Sequence, residues 1–168
     1  MKKKTTKIAA FDLGTMCGWA VGHVHYGNVM SGWYNLKPGR YDGGGMRFVK
    51  FRQRLDELHA GYPFEIVVFE EVRRHVGTSA AHVYGGLMAV LQSWCEEKDI
   101  PYTGIPVGTI KKFATGRGNA DKRLVIESTR LWGFRPENDD EADALALLCF
   151  QLFEIAGVSP HTTVDDQL

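Results

Sequence analysis

Residues Phe64 to Glu71, FEIVVFEE, put apolar side chains on both parities of one short run. A strand with one wet face would alternate, so this run belongs in a strand covered on both sides. Such a sheet needs helices above and below it. Glu70 stands at the end of the run, where the covered region gives out. A related pattern opens the chain: Ile8–Val21, IAAFDLGTMCGWAV, carries one carboxylate, Asp12, to the end of an apolar run, and Gly14 lets the backbone turn tightly after it. A second apolar run starts at Gly18, so the stretch reads as a β-hairpin with an acid on its first strand. An Asp in a Gly-containing turn is also an ordinary turn residue.

The remaining stretches supply the layers. Asn28–Leu36 reads as a third strand entered through a Gly27-Asn28 turn, and Lys37–Gly45 as a loop. Met46–Ala60 reads as a helix with Phe48, Phe51, Leu55 and Leu58 in one stripe and Arg47, Lys50 and Arg54 largely off it, a solvated or phosphate-facing side. Thr78 or Ser79 is placed to cap a helix running to about Lys98, with Val83, Leu87, Leu91 and Trp94 on one face. Gly85-Gly86 inside it costs about 1 kcal/mol per glycine, which a close helix–helix approach, within the chain or across a dimer, would explain.

Pro101–Val107 reads as another strand, followed by a short basic helix, a Gly116–Gly118 loop and a helix capped at Asn119 or Asp121. On that helix Leu124/Leu131 and Val125/Trp132 are heptad-spaced. A basic glycine-containing loop at a helix N-terminus suits phosphate, although the GxxxxGK[ST] pattern of a nucleotide loop is absent. The last helix, from NDDEADALALLCFQLFEIAG, is apolar almost all round between Ala142 and Phe153, which implies burial. Asp140 and Asp143 share one side of its first turn, and Asp139 reads as an acid favoured by the helix dipole. Gly157 ends it, leaving residues 1–156 as one domain and 157–168 as a flexible tail. Strand–helix alternation behind an antiparallel meander implies an α/β fold with a mixed sheet flanked by helices.

Net charge is zero, but its distribution is not even. All 20 Lys and Arg lie within residues 1–135 beside 12 acids, an excess of eight positive charges; residues 136–168 hold the other eight acids. A basic body with its acids gathered late holds polyanions once cations cover those acids. Cys17, Cys95 and Cys149 form no CxxC pair, which argues against a disulfide framework or zinc knuckle and fits a reducing cytosol. His23 and His25 share a strand face but have no third ligand nearby, so they read as exposed histidines. The basic opening MKKKTTK precedes an apolar run that Asp12 breaks, too short for a signal peptide or membrane span.

In this layout Asp12, Glu70, Asp140 and Asp143 converge. Packed carboxylates repel, and some stay protonated unless cations compensate. Hard divalent ions do so: Mg²⁺ takes a few carboxylates plus phosphate oxygens, and a pair of ions suits phosphodiester cleavage.

FDLGTMCGWA, FEEV, VGTIKKFATGRGNADK and DDEADALALL occur in the order and approximate spacing of the RuvC-like Holliday junction resolvases, and the chain resembles them over about residues 7–156. The resemblance implies a ribonuclease-H-like fold with a five-stranded mixed sheet. By motif, Asp12, Glu70, Asp140 and Asp143 would bind metal, two Mg²⁺ per site with Mn²⁺ as a substitute. Lys122 would be the catalytic lysine and Lys111 a second lysine at the phosphate. Arg73, Arg74, Lys111, Lys112, Arg117 and Lys122 would contact DNA. The implied assembly is a homodimer that resolves four-way DNA junctions by paired nicks in the cytoplasm. The rival expectations are a nuclease for flaps and other branched DNA, or a branched-nucleic-acid binding module that does not cut. Two positions depart from the bacterial pattern: Leu13 stands where proline is usual, and Arg73 where an aromatic probes the junction centre. The lysine-rich start and short length look more like the bacteriophage branch. Glu71 and Glu141, adjacent to assigned acids, face away from them and read as bystanders. DLGT also resembles the phosphate loop of the sugar-kinase and actin superfamily, which needs two such domains where this chain has room for one.

Overall fold

Ten elements build a three-layer arrangement: β1 (Lys7–Asp12), β2 (Met16–His23), β3 (Met30–Asn35), α1 (Met46–Gly61), β4 (Ile66–Glu71), α2 (Thr78–Glu97), β5 (Tyr102–Pro106), α3 (Val107–Thr115), α4 (Lys122–Leu131) and α5 (Asp139–Ala156). The computed structural model describes residues 5–25 and 28–160. The expected turn at Gly27, the first four residues of the basic opening and residues 161–168 of the expected tail lie outside these. The sheet order is β3-β2-β1-β4-β5, with β1, β2 and β3 antiparallel and β1, β4 and β5 parallel. It is the mixed five-stranded α/β sheet expected from the sequence.

Central β1 is covered on both sides, with Ile8, Ala9, Ala10 and Phe11 fully buried. Alternation divides the strands between two cores. Ala9, Phe11, Val67 and Phe69 face α1 and α2 and pack with Phe51, Leu55, Leu87, Leu91 and Trp94. Ile8, Ala10 and Val68 face α5, meeting Leu145 and Leu148, with Ile110 of α3, Val125 of α4 and Trp132 just past α4 in the same core. The two-parity pattern of FEIVVFEE is thus explained by a helical layer on each face. The three cysteines are buried and form no disulfide, and no described helix is long and apolar enough to cross a membrane.

Local details differ from expectation. Neither Thr78 nor Ser79 caps α2: its N-cap is Gly77, at φ 100°, with no side-chain cap. A Cβ on Gly86 would lie 2.4 Å from the Phe48 ring, so this glycine lets α1 approach α2 within the chain, whereas Gly85 faces open space. Asp121, rather than Asn119, caps α4, its Oδ1 accepting from the Leu124 amide at 3.0 Å. That carboxylate occupies the helix start expected to serve phosphate. Leu131 is 79% exposed while Val125, Thr129 and Trp132 are buried; α4 packs on α5 and α3 through this i, i+4, i+7 stripe, which leaves Leu131 of the Leu124/Leu131 pair outside. β2 stops at His23, so His25 lies beyond the strand, its amide donating to His23 Nδ1 at 3.3 Å.

Candidate active site

Because β1, β4 and β5 are parallel, their C-terminal ends share one sheet edge. Asp12 has the parity of Ile8 and Ala10, and Glu70 that of Val68, so both point to the α5 side. The start of α5 crosses this edge over β2. Gly18, the register partner of Asp12, makes the crossing possible: a Cβ there would lie 1.9 Å from the Asp140 carbonyl oxygen. Asn138 caps the helix, its side chain accepting from the Glu141 amide at 2.9 Å. Strand β3 then pins the turn. Ser31 Oγ donates to Glu141 Oε1 at 2.6 Å, the Glu137 amide donates to Glu141 Oε2 at 2.8 Å, and Trp33 Nε1 donates to Glu137 Oε2 at 3.0 Å.

The result is a carboxylate cluster. One oxygen each from Asp12, Glu70 and Asp143 lie within 4.8 Å of one another. Asp140 stands beside this trio, close enough for the Asp12 side chain to favour its ionised form. Burial, reinforced by Glu70, Asp143 and Asp140, drives the Asp12 carboxyl well above the usual range. Burial also raises Glu70, against the opposing pull of the Lys111 ammonium. Asp143 is pushed up to about 7 by burial, with Glu70 and Asp139 adding to it. Asp140 is raised by burial and by Asp139. A protein seldom gathers four proton-retaining acids without a cation to share.

Two of the cations expected from the sequence, Lys111 and Lys122, interact with this cluster and its first-turn neighbour. Lys111 on α3 is half-buried and close enough to favour the charged forms of Glu70 and Asp143. Lys122 at the start of α4 donates to Asp139 Oδ2 at 2.5 Å. That bond raises the lysine and lowers the aspartate. Asp139 is the first-turn acid expected on α5, and this bond gives it a partner that helix periodicity does not reveal. Lys112 and Arg117 are exposed, as are Arg73 and Arg74 beyond β4, where Arg73 pairs with Glu71 at 3.5 Å. Glu71 and Glu141 are outside the carboxylate trio, as expected. Yet Glu141 is only 5% exposed and holds the α5 start in place, a role that only the fold exposes.

No protein-family model matches the sequence, and no curated protein matches it. Solved structures do. The chain is similar to Thermus thermophilus RuvC in complex with a Holliday junction substrate, with a TM-score of 0.75 and 21% identity over 90% of this chain and 96% of that one. A second Thermus thermophilus RuvC structure gives a TM-score of 0.65 and 20% identity, covering 90% and 97%. The yeast mitochondrial Holliday junction resolvase gives 0.60 and 15%, covering 91% and 82%. The likeness covers nearly the whole of both chains: this chain has the ribonuclease-H-like fold of the RuvC structures.

Proposed function

We propose that this protein is a divalent-metal-dependent endonuclease that resolves four-way DNA junctions. The observation that carries the reading is the meeting of Asp12, Glu70 and Asp143 at the edge of a RuvC-type sheet. The donor set fits a hard cation: three carboxylate oxygens within one coordination sphere's reach, each raised by burial, with Asp140 alongside. When bound there, one or two Mg²⁺ or Mn²⁺ ions would polarise the phosphodiester and lower the pKa of an attacking water.

The chain's own groups do the rest. Asp12, Glu70, Asp140 and Asp143 hold the centre on rigid elements. Lys122 Nζ, kept protonated by Asp139, presents positive charge toward the same side, where a phosphate gains negative charge during cleavage. Lys111 offsets the remaining acid charge, and Arg73, Arg74, Lys112 and Arg117 take backbone phosphates on either flank. Paired nicks call for two copies of the chain, and we assign the protein a homodimeric form.

Labelled junction, flap and duplex DNA, incubated with protein in Mg²⁺ and in EDTA, test the reading. Symmetric, EDTA-sensitive cutting of the junction is expected. Flap cutting with an intact junction would reassign the substrate, and binding without cutting would leave a recognition module. Asp12→Asn is expected to bind junctions and lose nicking by at least 10²-fold; a variant that nicks at the normal rate overturns the metal assignment.

A further inference from the structure

On the opposite face of the sheet from the acid cluster lies a cleft of about 390 Å³, lined by Leu13, Gly14 and Thr15 of the β1–β2 turn, Arg47 of α1, His75 of the β4–α2 loop, and Ser79, Ala80, Val83 and Tyr84 at the start of α2. None of these lining residues is acidic. The Arg47 guanidinium is fixed by donation to Thr15 Oγ1 at 3.0 Å, and His75 Nε2 is buried without a hydrogen-bond partner. A buried polar atom left unpaired is uncommon in a finished fold. Leu13, Ala80 and Val83 give the cleft an apolar wall, and its volume is that of a small-molecule site.

Its walls come from the same sheet edge as the acid cluster. Leu13 directly follows Asp12, and the Tyr84 hydroxyl donates to the Glu70 carbonyl at 2.9 Å while accepting from the Val72 amide at 3.1 Å. An anion-seeking, half-apolar cleft that shares backbone with two members of the carboxylate trio suits a nucleotide next to the phosphodiester the trio holds. We propose that this cleft is a nucleotide subsite: Arg47 takes the phosphate flanking the cut, and the sugar or base lies on the Leu13–Ala80–Val83 wall. The proposal rests on the nuclease reading, and it makes the cleft the place where one unpaired nucleotide beside the cleavage point is sensed.

Binding of a labelled four-way junction in EDTA tests it, using oligonucleotides in which single phosphates near the cleavage point are replaced by uncharged methylphosphonates. Neutralising one flanking phosphate is expected to weaken the wild type about tenfold, as loss of one charge-assisted contact should. It should weaken Arg47→Ala no further, so the two losses fail to add. Ala80→Trp, which fills the cleft without touching a charge, should reproduce the loss. Circular dichroism establishes that both variants are folded. If both bind like the wild type, or the Arg47→Ala and methylphosphonate penalties add at every position, the subsite is overturned while junction cutting stands. Non-additive coupling in a protein that cuts no branched DNA would instead uphold the subsite and overturn the nuclease reading.

Discussion

Asp143 binds its proton up to about pH 7 because burial and neighbouring acids make its ionised form costly. The consequence for stability has a definite sign. A carboxyl raised above its unfolded value keeps a proton in the folded state that the unfolded chain has already lost. Stability without metal is therefore fully present below about pH 4 and drains away as pH rises toward 7. With Asp143 near 7 against 3.8 in a model peptide, its share is on the order of 2–4 kcal/mol. Urea unfolding in EDTA between pH 4 and 8 should show the midpoint falling, and Asp143→Asn should flatten that fall. Mg²⁺ added at pH 8 should restore the wild-type midpoint, because the ion binds only the folded cluster. A wild-type midpoint that climbs from pH 4 to 7 in EDTA would contradict the burial of these acids. At this scale the sequence showed which acids end apolar elements. It did not show that Asp139 bonds Lys122, since that contact joins residues from two separate helices and has no periodic trace.

Among elements, the α5 start is held by contacts with very different legibility. Apolar patterning located β1, β4 and α5, because burial on both faces or all round leaves a continuous apolar run. Strand parity then put Asp12 and Glu70 on one side. The distance between α5 and β2 had no such signature: it rests on one missing Cβ at Gly18 and on the Ser31–Glu141–Glu137 bonds. Glu141 read as a bystander because helix periodicity says where a side chain points, not what waits there. Gly18→Ala should displace the first turn of α5, since overlap with a main-chain carbonyl cannot be relieved by a rotamer change. A cost of about 1–3 kcal/mol in stability is expected, together with loss of nicking well beyond that, because Asp140 and Asp143 move with the turn. Ser31→Ala should lose about 1 kcal/mol and retain part of the nicking. Denaturant midpoints and nicking rates on both variants separate these outcomes; Gly18→Ala with wild-type nicking would show that the close crossing does not position the acids.

Across the whole molecule the formal charge of zero conceals a split. Four acids gather at one sheet edge, and the bases expected to meet DNA come from the segments that follow the parallel strands: Arg73 and Arg74 past β4, Lys111 and Lys112 on α3, Arg117 in the loop beyond, and Lys122 on α4. Without a divalent ion the centre repels phosphate while the rim attracts it. Screening must therefore act strongly on DNA affinity. If about five bases each replace a condensed counterion, log affinity falls against log salt with a slope of about −4 to −5, a loss of about 10²–10³ between 50 and 200 mM. Replacing Arg73 and Arg74 together by Ala should make that slope shallower by about 2. In EDTA at pH 8, where Asp143 is ionised, Asp143→Asn should bind junction DNA more tightly than the wild type, since one source of repulsion has gone. Added Ca²⁺ or Mg²⁺ should narrow that difference by neutralising the wild-type cluster. Anisotropy titrations with a labelled junction over a salt series measure all three quantities. A flat salt response would remove the rim from the binding surface, and equal affinities of wild type and Asp143→Asn at pH 8 in EDTA would mean that phosphate does not approach the acid centre.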